Sequence, residues 1–179
     1  PSQQTFIDVP PDHWAYEEIE TLYRAGFTSG CSTNPMRFCP DRGLTRGEMS
    51  VFTLRGAYSA EFIPAEPTYQ LFADTPLSHW AVDWATRMYE DEYSAGCSTD
   101  PLMFCTDNSH TREEAAVFAL RLKYGSGYTP PEPVGVFSDV DPSRWSARWV
   151  EAAYTNHLLD PCSTQPELLF CPMEALTRD

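Results

Sequence analysis

Lysine is nearly absent from this chain: among 179 residues it occurs once, at Lys123. With 12 basic and 26 acidic side chains, the formal net charge is −14. Nucleic acids and anionic membrane surfaces both require clustered basic side chains, so neither is an expected partner. Long hydrophobic runs are missing as well. No stretch approaches the ~20 apolar residues that span a bilayer, and membrane insertion is not expected. There is no charged-then-apolar leader pattern, so the chain reads as a mature or excised segment. The four histidines are scattered, and no nucleophile–base set recurs. The many carboxylates could be imagined as glycosidase-like pairs. Without a recurring constellation, however, no catalysis is expected and no cofactor is implied.

What the chain does have is self-similarity. The stretch from Phe6, FIDVPPDHWAYEEIETLYRAGFTSGCSTNPMRFCPDRGLTRGEMSVFTLR, returns 66 residues later from Phe72. Trp14 maps to Trp80, Cys31 to Cys97, Cys39 to Cys105, Arg46 to Arg112 and Phe52 to Phe118. A third copy starts at Phe137, gains one residue between its cysteines and stops at Asp179, where a second helix would begin. Such repetition takes precedence over any local reading. It divides the chain into 1–60, 61–126 and 127–179.

Each copy reads as helix, loop, helix. Asp12, Ser78 and Ser143 stand where the first helix should be capped. Trp80, Ala81, Trp84, Ala85 and Met88 then follow helical spacing, which places Trp14, Trp80 and Trp145 in the core. The Asp of F-x-D (Asp8, Asp74, Asp139) reads as a turn cap, since a calcium site would need more converging oxygens. Thr45 and Glu48, then Thr111 and Glu114, have the spacing of capping boxes, and Thr177 stands at the third equivalent cap. The linkers GAYSAEFIPAEPTYQ and KYGSGYTPPEPVG are rich in proline and glycine, as connectors should be. Units of this size bury little core alone, so three are expected to pack helix against helix in an all-α fold.

Six cysteines form three local pairs: Cys31/Cys39, Cys97/Cys105 and Cys162/Cys171. Fifteen pairings are possible, and the repetition makes pairing within each copy the simplest. Zinc is the rival reading. It favours closer spacing, and no histidine accompanies every pair, so no metal is expected. Disulfides place the chain outside the cytoplasm.

One residue type sits where it should not. Arg46 and Arg112 occupy the first helical position, where a cation meets the positive end of the helix dipole at a cost of ~0.3–1 kcal/mol. Three and four residues on lie Met49 and Ser50, then Ala115 and Ala116, so no carboxylate on the same helix explains them. The partner is either an acid from another copy or an external anion, which a guanidinium fork and helix N–H groups would suit.

The combination F-x-D-x-P-x-x-H-W-A, a glycine-bearing loop, F-x-P and T-R-x-E resembles the S-layer homology (SLH) domain, in three tandem copies. The resemblance implies three repeats around a pseudo-threefold axis and a secreted protein at the cell envelope. It also implies non-covalent binding to a wall-linked polysaccharide, typically pyruvylated. Arg46, Arg112 and Arg178 match the family's ligand-contacting arginine, and Gly30 and Gly96 match its loop glycine. Three features depart from the family pattern. Gly47 and Glu113 stand where it has alanine, Pro161 stands where it has the loop glycine, and the cysteine-closed loop is unusual. The rival reading is a lattice- or filament-forming module that binds other copies of itself through Tyr58, Phe62, Tyr69, Tyr124 and Tyr128.

Overall fold

The computed structural model describes residues 4–179. Five helices alternate with short extended pieces: α1 (Tyr16–Arg24), β1 (Ser32–Thr33), β2 (Met36–Arg37), α2 (Arg46–Ala57), α3 (Val82–Glu90), β3 (Ser98–Thr99), β4 (Leu102–Met103), α4 (Arg112–Tyr124) and α5 (Ala147–Thr155). The expectation of an all-α fold is corrected. Helices account for only about 30% of the chain, and β1–β2 and β3–β4 form two small antiparallel sheets. The cause lies in the cysteine loops. A short loop closed at both ends must pair its own backbone polar groups, and Ser32 opposite Arg37 with Thr33 opposite Met36 does so. The second loop repeats this register with Ser98 opposite Met103 and Thr99 opposite Leu102.

All six cysteines are paired within their loops: Cys31–Cys39, Cys97–Cys105 and Cys162–Cys171. The F-x-D aspartate closes the same loop from outside. Asp8 accepts the N–H groups of Phe38 and Cys39, both at 2.9 Å. Asp74 does the same for Phe104 and Cys105, and Asp139 for Phe170 and Cys171. Burial pushes the Asp8 carboxyl upward, but the backbone donors and Arg37 outweigh it and hold it below its ordinary value. These carboxylates are therefore loop clasps.

The first helix of each copy starts later than its sequence suggests. Its N-cap is Ala15, Ala81 or Ser146, three residues beyond Asp12, Ser78 and Ser143. The intervening residues form turns, with His13 N–H donating to Pro10 and Tyr16 N–H to His13. The His13 and His79 Nδ1 atoms accept the N–H groups of Ala15 and Ala81, acting as caps from inside the turn. Trp14, Trp80 and Trp145 thus precede their helices, outside the buried stripe. They are 75%, 54% and 58% exposed, which overturns the expectation that they are core.

The core consists of three clusters, each built on the Phe of F-x-D and the Phe before the second cysteine. Phe6 meets Phe38, Phe72 meets Phe104 and Phe137 meets Phe170, with ring centroids 5.2–5.5 Å apart. Leu54 of α2 joins the Phe72 cluster, and Leu120 of α4 joins the Phe137 cluster. The second helices of the first two copies thus complete the core of the copy that follows.

A ring of backbone hydrogen bonds ties the copies together. Leu44 N–H donates to Leu176, Leu176 N–H to His110, and His110 N–H to Leu44, each at 2.8 Å. These three residues stand 66 apart in sequence, so equivalent positions close on one another in a cycle. His110 is fully buried there, and neither ring nitrogen has a hydrogen-bond partner. Burial, with Arg46 nearby, lowers its pKa to about 3. The neutral form is the folded form, so stability is complete above ~6.5, the unfolded value. It should fall as the pH drops from there toward 3, by up to ~1.4 kcal/mol per pH unit. Urea titrations at pH 7 and pH 4 check this, and His110→Phe should flatten the difference.

Candidate functional site

The misplaced arginines reach across from one copy to the next. Arg46 Nε donates to the Phe104 carbonyl at 2.8 Å, Arg112 Nε to Phe170 at 2.9 Å, and Arg178 Nε to Phe38 at 2.8 Å. Each guanidinium also lies over the ring of that phenylalanine, 4.8–5.1 Å from its centre. The helix N-terminus is consumed by the same neighbour. Arg46 N–H donates to Asn108 and Gly47 N–H to Thr106, while Glu48 N–H caps onto Thr45. Thr45/Glu48 and Thr111/Glu114 both form reciprocal capping boxes. Thr177 instead bridges to Gly43, in line with the Thr45–Ser109 and Thr111–Ala175 bridges. No backbone donor at these helix starts is left for an anion, so only the outer edges of the guanidinium groups remain.

Those edges differ between copies. Arg46 is 4% exposed and fully engaged, with Nη1 on Glu114 at 2.5 Å and Nη2 3.5 Å from Ser94. Arg112 is half-buried and donates from Nη2 to the Asp160 carbonyl. Arg178 has Glu48 only at 3.8 Å, because Glu48 is held by both Nη atoms of Arg42. Burial lowers the pKa of all three arginines, against nearby carboxylates that raise it. A guanidinium does not give up its proton in a protein, so all three stay charged at neutral pH.

Two equivalent grooves open beside them. The first, about 280 Å³, has the 27–30 loop on one side, Val51, Phe52 and Arg55 of α2 as its floor, and Trp80 and Arg178 at its rim. The second, about 540 Å³, repeats this with the 93–97 loop, then Val117, Phe118 and Arg121 of α4, and finally Trp145 and Arg46. Gly30 and Gly96 lie in their walls, while Arg112 lines neither. Both glycines have positive φ, +82° and +84°. A Cβ at Gly30 would come within 2.3 Å of the Arg37 carbonyl oxygen, and one at Gly96 within 2.4 Å of that of Met103. The shape of the loop demands glycine there whether or not a ligand touches it.

Sequence reasoning missed Arg55 and Arg121. Each donates to a loop carbonyl, Phe27 or Tyr93, and lies 5.3–5.6 Å from the ring centre of Trp84 or Trp149. Their shared nine-residue offset from Arg46 and Arg112 was the available signal. The departures at 47 and 113 also acquire reasons. A Cβ at Gly47 would stand 2.7 Å from Thr106 Cγ2 and 3.1 Å from the Ala81 Cβ. Glu113 accepts two bonds from Arg144, at 2.7 and 2.9 Å, and one from Ser146. Arg144 is the residue that replaces the histidine of the first two copies, so the two departures form one ion pair.

Residues 5–50 match the S-layer homology domain family. The matched span contains the F-x-D clasp, the first cysteine loop with Gly30, and the capping box with Arg46. S-layer homology domains are binding modules, not catalysts, and they attach proteins to wall polymers at the cell surface. Over that span the chain is similar to a cell-surface anchoring module. No curated protein matches it. No helix among the described residues is long and apolar enough to cross a membrane.

Proposed function

We propose that this chain is a non-catalytic anchor that holds a secreted protein to the cell envelope by binding an anionic, pyruvylated wall polysaccharide. On this reading 1–60, 61–126 and 127–179 are three S-layer homology repeats, and the glycan lies in the grooves between them. One observation carries the reading. Each groove sets an exposed tryptophan opposite a glycine-shaped loop, with arginine donors between them. An indole offers an apolar face to the C–H face of a sugar, and a guanidinium offers a planar fork to a ketal carboxylate. The linker aromatics lend little to the self-assembly reading. Tyr58 stacks on Phe62 at 4.3 Å and Tyr124 on Tyr128 at 4.8 Å, so both linkers pack on themselves.

The test is co-sedimentation with purified wall polymer, before and after mild acid removal of pyruvyl groups. Tryptophan variants are the clean probe, because Trp80 and Trp145 lie outside the core while Arg46 is inside it. Trp80→Ala/Trp145→Ala should keep its thermal midpoint within a few degrees and lose at least tenfold in binding. Undiminished binding by that variant, or by depyruvylated polymer, would sink the reading.

A further inference from the structure

The two grooves are equivalent in architecture and differ in charge. In the first, the capping-box carboxylate Glu48 is neutralised by Arg42. At the matching position the second copy has Asn108, which carries no charge, and Glu114 takes Arg46 as its ion-pair partner instead. The second difference lies behind the α-helical arginines. Glu92 acts on Arg121, whereas the matching residue behind Arg55 is Gly26. Among the described residues, neither Arg55 nor Arg121 has a carboxylate within ion-pair distance and each has an Nη group on a loop carbonyl, so the difference between them is Glu92, which lines the surface beside Arg121. Among the described residues, Arg178, whose side chain is 4% exposed, has Glu48 as its one carboxylate within ion-pair distance, at 3.8 Å, with Asp8 acting from farther off, and Arg42 already holds Glu48. The first groove is therefore lined by Arg55 and Arg178 against one carboxylate, Glu48, which Arg42 also holds, while the second is lined by Arg46 and Arg121 against two, Glu114 paired with Arg46 and Glu113 paired with Arg144.

We infer that the two grooves divide the ligand between them: the groove of Arg55, Arg178 and Trp80 takes the carboxylate of the glycan, and the groove of Arg121, Arg46 and Trp145 takes uncharged sugar. This rests on the proposed glycan-binding function and assigns its charge recognition to one site. Two forks lining one groove suit a carboxylate, whereas a wall in which acids balance bases offers an anion no net attraction. The larger volume of the second groove, about 540 against 280 Å³, suits a neutral saccharide stacked on Trp145.

The experiment uses the arginine Nε–H resonances of the whole chain, assigned with Arg55→Lys and Arg121→Lys. The Nε atoms of Arg55 and Arg121 are buried, which slows solvent exchange and makes both signals observable. The probes are a methyl glycoside carrying a 4,6-pyruvyl ketal and the same compound as its methyl ester. With the acid, the Arg55 and Arg178 signals should shift together along one isotherm, and the Arg121 signal should stay within error. Arg55→Lys should weaken acid binding at least tenfold and leave the ester within twofold, while Arg121→Lys should leave the acid within twofold. Equal shifts at Arg121, or equal losses in both variants, would overturn the division. If the ester binds as tightly as the acid, the glycan reading stands and the division falls. If neither compound binds, both fall.

Discussion

Reduction of the three disulfides should remove roughly 7.5 kcal/mol of stability, about 2.5 kcal/mol for each closed loop of this length. Domains of this size are stable by only ~5–15 kcal/mol, so the reduced chain should be near or beyond unfolding at 37 °C. Local structure cannot replace the bridges. Two of the loops hold hairpins with two-residue strands and the third a single bridge between Ser163 and Leu169, and an isolated hairpin is marginal in water even when longer. The second cysteine of each pair also holds φ near +57°, a left-handed conformation that costs a non-glycine residue ~1–2 kcal/mol. Each bridged loop bears the carbonyl that an arginine from another copy grips, at Phe38, Phe104 and Phe170. Losing one bridge should therefore loosen an interface as well as a loop. Guanidinium unfolding with and without reductant measures the total, and Cys31→Ser/Cys39→Ser measures one bridge. A loss below ~1 kcal/mol for that pair would mean that the Asp8 clasp and the Phe6–Phe38 contact hold the loop unaided.

Much of this organisation was written in spacing. The 66-residue period placed equivalent residues in equivalent roles, and the cysteine pairs and capping boxes are local patterns that need no knowledge of the fold. The hairpins were not legible, because two residues cannot display a period of two. The tryptophans were misread for a related reason. Trp80 falls at helical spacing from Trp84 and Met88, but α3 begins at Val82, and the His79 turn before it leaves the tryptophan outside the helix. The cyclic bond between Leu44, His110 and Leu176 involves only backbone atoms, which no side-chain pattern reports. The pairing of Glu113 with Arg144 was visible as two separate departures from the repeat, 31 residues apart. Only the packing of α4 against α5 joins them. The groove charges were hidden in the same way. Arg42 and Asn108 look like interchangeable loop residues until their neighbours, Glu48 and Glu114, are seen to choose different partners.

Arg46→Ala should cost about 3–5 kcal/mol, the range for leaving one half of a buried ion pair behind. The side chain fills a slot between the Phe104 and Phe118 rings, and its removal strands the Phe104 carbonyl and takes the cation from Glu114 Oε1, while Oε2 keeps its Thr111 donors. Lysine should not restore it. A single ammonium cannot serve the carbonyl, the carboxylate and the Ser94 hydroxyl from one planar fork, so Arg46→Lys should still lose ~2 kcal/mol. Arg112→Ala should lose less, since Arg112 is half-buried and its partners are the Phe170 and Asp160 carbonyls. Denaturant midpoints for the three variants test this order, with glycan binding measured on the same samples. The unfavourable place of this arginine beside a helix dipole is then explained by what it reaches. From the first helical position the guanidinium spans the gap to the next cysteine loop, and the dipole penalty of under ~1 kcal/mol is small beside the hydrogen bonds and ion pair it makes there. Should Arg46→Ala keep its stability and lose only glycan binding, the arginine would be a ligand group after all, and the joint between copies would rest on the backbone ring alone.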